Sequence, residues 1–188
     1  MRSLAHNNAM ILLIGASASG KTEIAKALFR LHGIKKAVTH TSRPIRPSEI
    51  PDVDYHFVTE EEFLRLKEEG EFVETTDYNG KHYGSSKKEV ADDKVLIVDP
   101  KGLEAYLSLH DPRIISFYLL ASDATRRARM QGRGDDPESV TARLKNDAID
   151  FSNPILEKAD FTIETEGKEI DDLAEMVYFL YQRTLQSR

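Results

Sequence analysis

The chain has 188 residues, 40% of them apolar and 31% charged, enough for one folded domain with a real core and too apolar for a disordered one. A net charge of −6 supplies no general basic field for nucleic acid, and the lack of cysteine excludes disulfides, thiol nucleophiles and Cys-based metal sites. No apolar run approaches the ~20 residues of a membrane span and no signal-peptide core opens the chain, so a cytoplasmic protein with no membrane or nucleic-acid partner is expected, its state as monomer or homo-oligomer left open.

Met1–Ala9 read as a loosely ordered leader. Met10–Ile14 is a continuous apolar run of the kind that forms a buried parallel strand. Directly after it, Gly15-Ala16-Ser17-Ala18-Ser19-Gly20-Lys21-Thr22 fits G-x-x-x-x-G-K-[ST], a phosphate-binding loop. Backbone N–H groups of such a loop wrap a polyphosphate, Lys21 neutralises its oxygens and the Thr22 hydroxyl can reach Mg²⁺. Ile24, Leu28 and Leu31 follow at i, i+4 and i+7, which predicts a helix over 20–32. Strand, loop and helix stand in the required order; the competing reading is a Gly/Ser turn with no ligand.

From about 39 to 90 the texture changes to Pro, Gly, Tyr and charge, which reads as an inserted lobe. Arg43 and Arg46 sit among prolines that favour extended chain, a stiff mount for a phosphate clamp or for two solvated arginines. A helical interlude around Phe63 and Leu66 ends at Gly70, and the strand-like 72–75 precedes a turn at Asn79-Gly80. The next strand, 94–98, ends at Asp99, where ligands of open α/β sheets collect. Asp99 either meets the phosphates, through Mg²⁺ or the second substrate, or caps the helix expected over 101–109. Strands at 114–120 and 161–163 alternate with helices at 122–132, 137–150 and 168–185. Arg126, Arg129, Arg133 and, beyond a glycine-marked break at 131–137, Arg143 form either a swinging phosphate clamp or a solvated basic face; Arg129 and Arg133, four apart, share a helix face if the helix extends that far. The six histidines show no metal-ligand spacing.

The pattern is α/β, a P-loop NTPase core with a mostly parallel sheet flanked by helices, an inserted α+β lobe and a small helical lid. It is read as a single domain: core 10–38, 91–128 and 151–188, lobe about 39–90, lid about 129–150.

Together these segments resemble the guanylate kinases over nearly the whole chain. The most specific stretches are Thr39-His40-Thr41-Ser42-Arg43, Asp54-Tyr55-His56-Phe57, Gly70-Glu71-Phe72-Val73-Glu74 and Tyr83-Gly84-Ser85. The resemblance implies transfer of the γ-phosphoryl of ATP to GMP with Mg²⁺, the insert being the lobe that binds GMP. It implies that Arg43, Arg46, Tyr55 and Tyr83 hold the acceptor phosphate. Glu74 would accept from guanine N1–H and N2–H, with Thr39 and Ser85 placing the base and Asp99 beside them. By the same likeness, catalysis falls to Lys21, Arg43 and the lid residues Arg129, Arg133 and Arg143, and Mg²⁺ to Thr22 and Asp99. The chain departs from the family where D-x-D-x-Q-G becomes Ile97-Val98-Asp99-Pro100-Lys101-Gly102, where Thr75 follows Glu74, and where Thr165-Glu166 stand for an Asn-Asp pair. The proline between the clamp arginines is also displaced by one. These changes bear on acceptor identity, and a different nucleotide, a sugar phosphate, or a non-catalytic binding module are the alternatives. A GTPase switch ranks low, because no N-K-x-D segment exists in the chain.

Overall fold

A computed structural model describes residues 9–47, 49–78, 80–90 and 93–187. In chain order it runs β1 (Met10–Ile14), α1 (Lys21–His32), β2 (Lys35–Lys36), β3 (Thr39–Thr41), β4 (Tyr55–Phe57), α2 (Glu60–Glu68), β5 (Phe72–Tyr78) and β6 (Lys81–Ser86). It continues with β7 (Lys94–Val98), α3 (Pro100–Leu107), β8 (Ile114–Leu120), α4 (Asp123–Gly132), α5 (Pro137–Asp150), β9 (Phe161–Glu164) and α6 (Ile170–Ser187). Strands β1, β7 and β8 fall on the runs 10–14, 94–98 and 114–120 that the sequence marks. The two-residue β2 escapes sequence reading because it is too short to show a period. Leader residues 1–8, and Asn79 of the expected Asn79-Gly80 turn, lie outside the described residues.

Five parallel strands form the main sheet in the order β2-β7-β1-β8-β9. Successive side chains of a strand face opposite ways, so a strand covered on both faces must be apolar throughout. β1 shows this directly. Ile11 and Leu13 join Ile24 and Leu28 of α1 and Leu173, Val177 and Tyr181 of α6, while Met10, Leu12 and Ile14 join Leu103 and Tyr106 of α3 on the other face. The apolar stripe of α6 is thus core, with Ile170 and Leu180 only partly buried at its margin. Burying a Leu or Ile side chain of this kind stabilises by about 1.5–3 kcal/mol.

The second sheet is β4-β3-β6-β5, antiparallel except for the β3–β4 pair, and α2 packs against it through the buried Phe63. α4 ends at Gly132, so Arg133 is its C-terminal cap and the helix does not extend far enough for it to share a face with Arg129. Gly134, with φ 85°, turns the chain there, and Asp136 caps α5 by accepting from Ser139 N–H at 2.9 Å. No helix among the described residues is long and apolar enough to cross a membrane.

Candidate active site

The glycine-bounded loop lies between β1 and α1. A Cβ at Gly15 would sit 2.5 Å from Ser19 Oγ and 2.6 Å from the Leu119 carbonyl, and Gly20 has φ 105°, so the loop's tight path excludes other residues at both ends. Lys21 folds over the loop and donates to the Gly15 and Ala16 carbonyls at 2.5 and 2.8 Å. Burial lowers its pKa from 10.5 to about 8, with Asp147 pulling it back up and Arg126 adding to the decrease. Thr22 is exposed on a cleft of about 450 Å³ that it shares with Ala18, Gly20, Lys21, Arg129 and Arg133.

The outer side of the loop is held by the fold itself. Asp147 of α5 accepts from Ser17 N–H at 3.0 Å and from its hydroxyl at 3.2 Å. Arg126 of α4, only 5% exposed, donates to Asp147 at 2.5 Å, to the Ser17 carbonyl at 3.2 Å and to Asp123 at 2.7 Å. Arg129 donates to the Ala18 carbonyl at 3.1 Å and to the Thr165 hydroxyl and carbonyl at 3.1 and 2.9 Å. Met130, Val140 and Leu144 form a small apolar cluster against Ala18. Of the four arginines grouped in the sequence, Arg126 therefore meets its anion inside the fold. Arg133 and Arg143 converge on Asp135, at 2.6 and 3.0 Å, on the exposed side of the break.

A second cleft, of about 500 Å³, opens between the two sheets. Thr39, Tyr55, Glu74, Thr76, Asp77, Tyr83, Ile97 and Asp99 line it. Ser85 is buried behind Glu74 and donates to its Oε1 at 2.7 Å. Burial raises the Glu74 pKa; the Ser85 hydroxyl opposes the rise and Asp99 adds to it. At one end Arg43 lies 5.4 Å from the Tyr55 ring centroid and 5.7 Å from that of Phe57, with Tyr83 6.2 Å from Tyr55. Its guanidinium is paired with Glu49 through bonds of 2.7 and 2.9 Å, which raises the arginine pKa further and depresses the Glu49 carboxyl from 4.5 to about 2. Arg46 is exposed, and its backbone N–H donates to Glu49 at 2.8 Å.

Asp99 does both things weighed for it: Oδ1 accepts from Gly102 N–H at 2.7 Å as the cap of α3, and the exposed side chain lines the second cleft. Because Ile14 pairs with Val98, Gly15 and Asp99 leave adjacent strands and the two clefts are neighbours. The Thr22 hydroxyl and the Asp99 carboxylate are both exposed oxygen donors, the hard ligands Mg²⁺ requires. Among the described residues no cluster of three or more His, Asp or Glu could hold a metal by itself.

Glu49, Asp135 and Asp147 escaped sequence reading. Glu49 had a local signal, since it stands three residues after Arg46 in a turn closed by its own N–H to the Arg46 carbonyl at 3.0 Å. Asp147 had none, being 130 residues from Ser17. The departures at 165–166 have defined contacts: Thr165 is buried under Arg129, and Glu166 accepts from Ser122 N–H at 2.5 Å. His40 and His56 sit in the second sheet with ring centroids 4.6 Å apart and His82 stacks on Phe63, whereas His6 is outside the described residues.

The family model for guanylate kinase matches residues 7–181. The guanylate kinase of Chromohalobacter salexigens is 32% identical, over 95% of this chain and 86% of its own length. That of Anaplasma phagocytophilum is also 32% identical, over 89% and 83%. The crystal structure of the Anaplasma phagocytophilum guanylate kinase superposes with a TM-score of 0.66 at 27% identity, covering 94% of this chain and 86% of that one. A shikimate kinase from Acinetobacter baumannii in complex with shikimate, 16% identical with a TM-score of 0.54 over 95% of each chain, shares the fold.

Proposed function

Since the chain belongs to the guanylate kinase family, we propose that it transfers the γ-phosphoryl of ATP to GMP, giving ADP and GDP. The observation that carries this reading is the pairing of a phosphate-binding loop with a Glu74-floored cleft at the ends of adjacent strands β1 and β7.

The donor polyphosphate lies on the N-terminus of α1, where unpaired backbone N–H groups and Lys21 meet its oxygens. Segment 39–90 acts as the acceptor lobe and 129–150 as the lid. In the acceptor cleft Arg43, Arg46, Tyr55 and Tyr83 hold the monophosphate. Glu74 accepts two hydrogen bonds from the guanine edge, with Thr39 and Ser85 placing the base. Adenine presents an acceptor at N1 and would leave the carboxylate unmatched, which is the source of discrimination. A GMP phosphate oxygen attacks the γ-phosphorus in line as the bond to the β–γ bridging oxygen breaks, and ADP leaves with that electron pair. No covalent enzyme intermediate is needed, so catalysis is positioning and charge neutralisation.

Arg133 and Arg143 turn from Asp135 toward the transferring phosphoryl group as the lid closes, excluding water that would hydrolyse ATP. Arg129 holds the loop through Ala18 while facing the donor cleft. The Thr22 hydroxyl and the Asp99 carboxylate would hold Mg²⁺, which would supply neutralisation of phosphate charge.

ADP formation measured across GMP, dGMP, AMP, CMP and UMP tests the reading. GMP is expected to give the highest kcat/KM. An absence of GMP-dependent turnover with Mg²⁺ present would refute it.

A further inference from the structure

α3 carries a hydroxyl where its packing asks only for an apolar ring. Tyr106 is 0% exposed within the core cluster of Leu12, Leu96 and Leu103, and among the described residues its buried hydroxyl makes no well-formed hydrogen bond. An enclosed donor with no acceptor destabilises the fold, and phenylalanine would fill the same space without that penalty.

The direction of the side chain supplies a reason to keep it. Helical side chains lean toward the N-terminus of their helix, and α3 begins at Asp99 on the rim of the acceptor cleft. The Ser85 hydroxyl interacts with this phenol, as do the charges of Glu74 and Glu89, but the Tyr106–Ser85 approach falls short of full hydrogen-bond geometry in the resting protein. Ser85 directs its single proton to Glu74 at 2.7 Å, and its oxygen keeps lone pairs to accept another bond.

Resting on the reading of Glu74 as the base-reading carboxylate, we infer that Tyr106 is a positioning residue for acceptor recognition. When a purine edge draws Glu74 toward the cleft, Ser85 turns a lone pair to Tyr106, which donates to it. The chain Tyr106 to Ser85 to Glu74 then leaves Ser85 no choice but to donate to the carboxylate. Burial pushes the phenol pKa up to about 12, so Tyr106 stays protonated and serves as donor.

The inference gives stability and function opposite signs in Tyr106→Phe. Its melting temperature should be unchanged or higher. Its KM for GMP should rise about 3- to 10-fold, the worth of one networked hydrogen bond, with kcat and the KM for ATP unchanged. In a Ser85→Ala background the same substitution should add almost nothing, since the acceptor of its bond is gone. An unchanged KM for GMP, or an equal effect in the Ser85→Ala background, would overturn the inference. So would a lowered melting temperature, which would mark the hydroxyl as bonded in the resting protein. Wild-type protein in the same assay separates the two levels. A wild type without GMP turnover removes the functional reading and this inference with it, whereas a normal wild type beside an unaltered Tyr106→Phe removes the inference alone.

Discussion

The loop proposed to hold the donor and the cleft proposed to hold the acceptor are built on opposite plans. The loop at 15–22 is a backbone device, and its outer side is gripped by Asp147, Arg126 and Arg129 from the helices that follow β8. The proposed acceptor cleft is a side-chain device, with Thr39, Tyr55, Glu74, Tyr83 and Asp99 arriving from five strands or strand ends. A polyphosphate looks alike on every nucleoside triphosphate, so a pre-formed nest of N–H groups suffices to hold it. Choosing among bases requires placed donors and acceptors, which only side chains supply.

That contrast breaks first, if it breaks, at the loop's anchor. Asp147→Ala should lower unfolding free energy in denaturant titration by about 3 kcal/mol, because it leaves the buried Arg126 guanidinium with only the exposed Asp123 and the Ser17 carbonyl. Adding Arg126→Leu should restore most of the loss. If the single variant were as stable as the wild type, the loop would not depend on its scaffold.

Next in size is Lys21→Ala, expected to reduce kcat about 10²- to 10³-fold, as for loss of one charge-stabilising donor. GMP binding by calorimetry should be unaffected. The ammonium also gives a pH signature. Its folded-state pKa of about 8 lies below the 10.5 of the free group, so the unfolded chain binds more protons between those values and stability rises with pH across that window. Over the same rise kcat/KM for ATP should fall from pH about 8, as the neutral amine no longer attracts phosphate. A flat alkaline profile would contradict the role of Lys21.

Glu74→Gln tests the other side. It should cut kcat/KM for GMP roughly 10- to 100-fold, the loss of charge-assisted bonds to the base, while leaving the KM for ATP alone. A parallel rise in both KM values would mean that the two sites are not independent.

The smallest effect belongs to Glu49→Gln, which loosens Arg43 without removing it. A few-fold rise in the KM for GMP is expected, with kcat preserved. The pair's support for the fold is complete above pH about 4.5 and is lost as pH falls toward about 2, the direction set by the depressed Glu49 carboxyl. A fall in the KM for GMP would instead make Glu49 a competitor for Arg43.

The same contrast explains what could be read from the sequence. Met10–Ile14, Lys94–Val98 and Ile114–Leu120 are, apart from Lys94 and Ser116, apolar or aromatic because parallel strands are covered on both faces, so these runs stand out directly. The donor loop is contiguous and its glycines are sterically required. Glu74, Tyr55 and Tyr83 carry no local signature, and only the likeness to a known family marks them. Asp147 and Tyr106 act through partners far along the chain, and neither periodicity nor spacing exposes such contacts. The i, i+4 spacing of Arg129 and Arg133 gives a shared face only in a longer helix, and where α4 ends, at Gly132, is not legible from spacing alone.

The central claim is that two differently built clefts serve one transfer. Calorimetry with a bisubstrate compound, adenosine and guanosine joined 5′ to 5′ by five phosphates, tests it most directly. Joining the two halves should give 1:1 binding at least 100-fold tighter than either nucleotide, displaced by ATP and by GMP alike. Binding of two copies per chain, or displacement by only one of the nucleotides, would contradict the claim.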